Sequence, residues 1–124
     1  MTDQNRSHIE LTSAITAEFL DALMEITGDV DMTIPQALLL IRLQVNGQTY
    51  QNNLTKFTKV QKSANSRNVA KMGAGEKPHI KAGPGYIRSE QDPIDRRHRV
   101  VSLTEAGRKV VEQAAMSASK LIKY

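Results

Sequence analysis

The stretch from Tyr86 to Gly107, Y-I-R-S-E-Q-D-P-I-D-R-R-H-R-V-V-S-L-T-E-A-G, leaves a chain few ways to fold. Two strand-forming runs, Tyr86–Arg88 and Arg99–Leu103, flank a charged turn. Asp92-Pro93 supplies the reversal, since proline fixes its own φ and an Asp side chain can accept from the backbone two residues on. The spacing predicts a β-hairpin with a basic tip at Arg96, Arg97, His98 and Arg99. Asp95 is placed to hold one of these guanidiniums in a bidentate pair. Thr104 then caps a helix, with Glu105 at the positive end of its dipole and Gly107 allowing close packing on the hairpin base.

Upstream, Ser7 or Thr12 opens a first helix that runs to Thr27 and stops at Gly28, with Ile15, Phe19, Leu20, Leu23 and Ile26 at helical intervals. Thr33-Ile34-Pro35-Gln36 combines a threonine cap, a first-turn proline and a capping-box glutamine. The apolar helix that follows ends at Asn46-Gly47. A short helix is expected from Tyr50 to about Lys56, then a turn at Lys59-Val60, then a helix from Gln61 to Met72. Two short helices joined this tightly form a helix-turn-helix whose second member reads nucleic acid. On it Val69 and Met72 face inward, joined by Ala64 or Asn65. The last helix is expected from Thr104 toward Ile122, with Val110 or Val111, Ala114, Ala118 and Leu121 along one stripe.

Charge supports this reading. Residues 1–55 carry two basic and seven acidic side chains, whereas residues 56–99 carry eleven basic and four acidic ones. A basic middle on an otherwise acidic-to-neutral chain is the footprint of a polyanion-binding face.

The order D-x-x-D-x-R at Asp92, Asp95 and Arg97, then Val-Val-Ser, then L-T-x-x-G at Leu103–Gly107, resembles the wing of the MarR family of winged helix-turn-helix regulators. The likeness extends from about Thr33 to Gly107. It implies a mainly α fold with a small β-hairpin, a winged helix-turn-helix with flanking N- and C-terminal helices. The chain then reads as a single domain over 1–124, with an N-terminal helix at 1–28, a DNA-binding lobe at 33–103 and a C-terminal helix at 104–124. Related chains run almost directly from recognition helix to wing, whereas roughly ten more residues intervene here, around 76–85. They also continue into a further C-terminal helix, so this chain reads as divergent.

The resemblance implies a sequence-specific double-stranded DNA-binding regulator. Its recognition-helix contacts would come from Gln61, Lys62, Ser63, Asn65, Ser66 and Arg67, because such side chains bond base edges or phosphates. Its wing contacts would come from Arg88, Arg96, Arg97 and Arg99, with Arg96 or Arg97 in the minor groove and Asp95 orienting its neighbour. A homodimer through the N- and C-terminal helices and a small-molecule effector follow from the same resemblance. The other reading is a winged-helix module that binds a protein such as RNA polymerase or a replication factor, through residues 76–85 or the acidic first helix.

Other classes lack residues to carry them. No constellation supports catalysis, a cofactor or a metal, and His8, His79 and His98 stand far apart. No apolar run approaches the roughly 20 residues that cross a bilayer, and no signal-peptide layout opens the chain. A cytoplasmic protein of a bacterial cell or phage-infected host is therefore expected. Few aromatics are present for stacking on single strands.

Overall fold

The computed structural model describes residues 3–74 and 83–122. Its elements follow the order α1 (Asp3–Thr27), α2 (Ile34–Asn46), β1 (Thr49–Tyr50), a 3₁₀ turn (Gln51–Asn53), α3 (Leu54–Thr58), α4 (Lys62–Met72), β2 (Ile87–Gln91), β3 (Arg99–Leu103) and α5 (Glu105–Ser119). They divide into two compact units, Met1–Met32 with Val110–Tyr124, and Thr33–Lys109. Among the described residues no helix is long and apolar enough to cross a membrane.

In the unit Thr33–Lys109, α2 starts as its sequence dictates. The Thr33 hydroxyl accepts from Gln36 N at 3.3 Å, and Gln36 Oε1 accepts from Thr33 N at 3.0 Å, closing the capping box. At the far end Gly47 adopts a positive φ of 76° and donates to Leu43 O. Leu39, Leu40 and Leu43 are buried, and α2 packs on both α3 and β3. The period-2 rule for a strand then accounts for the buried Val101 and Leu103, with Ile87 opposite Leu103 in the antiparallel register.

The sheet has three strands rather than two, in the order β1-β3-β2. Tyr50, expected to open a helix, instead pairs with Val100, and Thr49 before it pairs with Val101. Helical turns start only at Gln51, and α3 proper at Leu54. The hairpin is also longer than expected on its first side, because Ser89, Glu90 and Gln91 continue the ladder opposite Val101, Val100 and Arg99. Asp92 then closes it, its N–H donating to His98 O at 2.9 Å.

The end of α4 is tied to the start of the wing by backbone hydrogen bonds. Gly83 N and Gly85 N both donate to Gly73 O, at 3.1 and 3.2 Å, and Tyr86 N donates to Met72 O at 2.8 Å. Most of the extra pre-wing segment, His79 included, lies outside the described residues.

In the unit Met1–Met32 with Val110–Tyr124, α1 starts at Asp3, earlier than Ser7 or Thr12. Ala22 and Leu23 are buried, while residues 5–14 are exposed, Ile9 and Leu11 among them. The Ser117 hydroxyl donates to Glu18 Oε1 at 2.8 Å. On α5 both Val110 and Val111 are buried with Ala114 and Ala118. The helix ends at Ser119, short of Ile122, and Leu121 is exposed.

The start of α5 meets the wing base where Thr104 N donates to Tyr86 O at 3.0 Å and Thr104 Oγ1 donates to Gly85 O at 2.6 Å. Gly107 N in turn donates to Thr104 Oγ1 at 3.1 Å. A Cβ on Gly107 would overlap the Tyr86 carbonyl, which is backbone and cannot rotate aside. Alanine would gain about 1 kcal/mol in helix propensity. Overpacking against fixed backbone costs roughly 1–3 kcal/mol and outweighs that gain. Gly107→Ala is therefore expected to lower the thermal unfolding midpoint by several degrees, and a midpoint at or above wild type would mean that α5 can lift off the wing.

Candidate nucleic-acid interface

Lys59, the turn residue of the helix-turn-helix, takes a left-handed conformation at φ 65°. What holds this turn is a buried amide. Asn65 is 1% exposed, its Oδ1 accepts from the Thr58 hydroxyl at 2.7 Å, and its Nδ2 donates to Val60 O at 3.4 Å. Asn65 is therefore a correction to the expected DNA-contacting set. Both ends of its amide are engaged inside the turn, and Ala64 is the half-buried neighbour. Asn68 is also held from behind, its Oδ1 accepting from Gln36 Nε2 at 3.2 Å. Gln36 thus does more than cap α2, since it ties that helix to α4.

The exposed face of α4 carries Lys62, Ser63, Ser66 and Arg67, with Gln61 exposed at the N-cap. The Gln61 side chain makes no capping bond and the first turn holds no acidic residue. The partial positive charge of this helix N-terminus is accordingly uncompensated, a setting suited to a phosphate. Arg67 has no ion-pair partner among the described residues.

Two carboxylates build the wing tip. Asp92 Oδ1 accepts from Ile94 N at 2.9 Å, the Asx turn that its sequence suggested, and Oδ2 accepts from the Tyr50 hydroxyl at 2.9 Å. The Ile94 N–H and the Tyr50 hydroxyl hold the Asp92 carboxyl below its ordinary pKa. The same bond raises the Tyr50 phenol above its own. Asp95 holds Arg97 in a bidentate pair, with Nε to Oδ1 and Nη2 to Oδ2 both at 3.0 Å, and also accepts from Arg97 N. The Arg97 side chain and its N–H depress the Asp95 pKa.

The four wing arginines accordingly differ. Arg97 is held by Asp95, and Arg88 lies 3.5 Å from Glu90. Arg99 is half-buried, donating from Nε to Ser89 Oγ and from Nη2 to Ser89 O, both at 2.8 Å. Arg96 is exposed and has no ion-pair partner among the described residues. His98, read from the sequence as part of the basic tip, is half-buried. Its ring lies 5.4 Å from that of Tyr50 at 52°, its Nε2 is 3.5 Å from Asp95 Oδ2, and its Nδ1 is buried with no hydrogen-bond partner among the described residues. No three His, Asp or Glu side chains gather as a metal site among the described residues.

Comparison with solved structures gives this arrangement its place. Crystal structures of RV1404 from Mycobacterium tuberculosis (TM-score 0.71, 24% identity, 97% of this chain and 76% of that one) and of the transcriptional regulator Tm0710 from Thermotoga maritima (TM-score 0.73, 22% identity, 94% and 72%) are similar throughout. A mutant MarR from E. coli complexed with operator DNA is similar at TM-score 0.61 and 20% identity, over 90% of this chain and 74% of that one. The fold is the MarR-like winged helix. At the level of sequence, no protein-family model and no curated protein matches. In the MarR-like frame α3 and α4 form the helix-turn-helix and β2–β3 the wing, and Tyr50 is a brace that sequence reasoning placed in a helix.

The two depressed carboxylates set a pH dependence. A carboxylate whose pKa is lower folded than unfolded stabilises the fold above its unfolded value of about 4, and that contribution fades as the pH falls through the folded value. Asp92→Asn should therefore unfold at a lower temperature than wild type at pH 7, with the gap closing as the pH falls below the ordinary carboxylate range. A gap that stays constant with pH, followed by circular dichroism, would show that the charge of Asp92 is not what the turn uses.

Proposed function

We propose that this chain is a sequence-specific double-stranded DNA-binding transcriptional regulator that places α4 in the major groove and the wing tip in the flanking minor groove. The observation that carries the reading is the division of labour among cations on the unit Thr33–Lys109. Arg67 on α4 and Arg96 on the wing lack ion-pair partners among the described residues, while Asp95 and Ser89 immobilise the arginines beside Arg96. A rigid tip presenting one free guanidinium suits a narrow, strongly negative groove. An open helix N-terminus beside Gln61, Lys62, Ser63, Ser66 and Arg67 suits phosphate and base edges together. The solved E. coli MarR complexed with operator DNA supports the same reading through its fold.

Homodimerisation belongs to this proposal. The unit that contains α1 exposes Ile9, Leu11 and Ile26 on that helix, and Met116, Leu121 and Ile122 at the other end of the chain. Pairing of these helices across a twofold axis would cover that apolar surface, and a dimer of this kind reads a pseudo-palindromic site.

Selection of tight binders from a random duplex library, at two salt concentrations, tests the reading. One pseudo-palindromic motif is expected. Arg67→Ala should weaken binding to it by about tenfold or more and relax preference at one base pair. Arg96→Ala should weaken binding and lower the salt slope by about one. Weak binding with no enriched motif, steep in salt and indifferent to both substitutions, would overturn the proposal.

A further inference from the structure

A line of hydrogen bonds crosses the DNA-binding unit from the wing to the recognition helix, and its polarity is fixed from one end. Arg99 stands on the same sheet face as Val101 and Leu103, because side chains two apart on a strand share a face. Its guanidinium is turned inward onto Ser89. A guanidinium has only donors, so Ser89 Oγ must accept, and does so at 2.8 Å. The one Ser89 hydroxyl proton is then directed to Gln51 Oε1 at 3.3 Å. With its carbonyl engaged, Gln51 turns its amide nitrogen to Ser66 Oγ at 3.2 Å. Ser66 is thereby an acceptor on the protein side, and its own proton is left to point elsewhere.

A second observation concerns that proton. A serine or threonine within a helix commonly donates to the carbonyl four residues back. Thr16 and Thr27 each do so here. Ser66 does not, and its hydroxyl proton has no acceptor among the described residues. It sits exposed on the face of α4 that also carries Arg67 and Lys62.

We infer that Arg99, Ser89 and Gln51 are positioning residues that preset the Ser66 hydroxyl as a hydrogen-bond donor toward DNA. This rests on the DNA-binding reading above and adds a specificity to it. A preset donor suits an acceptor: a purine N7, guanine O6, thymine O4 or a phosphate oxygen. It is mismatched to the N4 amine of cytosine. Without the relay a serine hydroxyl rotates to suit either kind of partner. The relay also makes the wing strand and the recognition helix one reading unit, since β2 and β3 supply the residues that orient a side chain of α4.

The test uses the full chain and the duplex recovered by selection. Ser66→Ala is expected to weaken binding about three- to tenfold, the range of one hydrogen bond. Gln51→Leu and Ser89→Ala should each cause a loss of similar size, and neither should add to the loss already present in Ser66→Ala. Modified duplexes, with 7-deazapurines for N7, 2-aminopurine for guanine O6, 5-methyl-2-pyrimidinone for thymine O4 or single methylphosphonates for a phosphate, separate the possible acceptors. One modification should weaken wild type and leave Ser66→Ala unaffected. Thermal midpoints of the variants near that of wild type, together with this non-additivity, would establish the relay. Losses that multiply independently, or a Ser66→Ala protein that binds as wild type does, would overturn the relay while leaving DNA binding in place. Failure of wild type to select any motif would overturn both, and the insensitivity of that binding to Arg67→Ala identifies this case.

Discussion

Both edges of β3 are hydrogen-bonded, and what the unit Thr33–Lys109 presents on its surface is referred to that one strand. On one side it holds β1, which brings Tyr50 beneath the wing tip. On the other it holds β2, whose start is joined by backbone bonds to the end of α4. Its inner face supplies Val101 and Leu103 to the core, and the next residue, Thr104, caps α5. A slip of one residue in the β2–β3 register would turn Val101 outward and at the same time carry Arg99 away from the inner face. The packing of the core and the placing of the cations therefore depend on the same register.

The tip illustrates how an acidic pair makes a basic surface more definite. Asp92 accepts at the turn and from Tyr50, and Asp95 accepts three times from Arg97. Each of these bonds removes freedom from the hairpin without using the Arg96 side chain. Net charge is lowered by two, yet the remaining positive charge is held at one place. An exposed ion pair contributes little to stability, so its value at this site lies in geometry.

Much of this was legible in the sequence where one residue acts on its near neighbours. The capping box at Thr33 and Gln36, the glycine stop at Gly47, the Asx turn at Asp92 and the Thr104 cap depend on partners within four residues, and all four form. What escaped was set by distant partners. A two-residue strand has no periodicity to detect, and Thr49-Tyr50 is a strand only because β3 lies beside it. Asn65 falls between Val69 and Met72 on a helical wheel, so its spacing already pointed inward and only its polar side chain argued for the surface. Its burial follows from Thr58 and Val60, brought near by the turn. Arg99 is different, because strand parity with Val101 and Leu103 already pointed it inward, against the pull of its charge. His98 turned inward through Tyr50, which could not be placed without β1.

The double use of the Gly73 carbonyl has a consequence for how such a chain can diverge. Gly83 and Gly85 both donate to it, so the backbone leaves α4 and re-enters the wing at one clamped junction. Chain inserted beyond such a clamp leaves the hydrogen-bonded stem, and with it the spacing of helix and hairpin, unchanged. Length and composition between the two elements are thereby uncoupled from the arrangement of α4 and the hairpin. Natural variation can accumulate at that junction, and a foreign segment can be grafted there, without renegotiating the fold on either side.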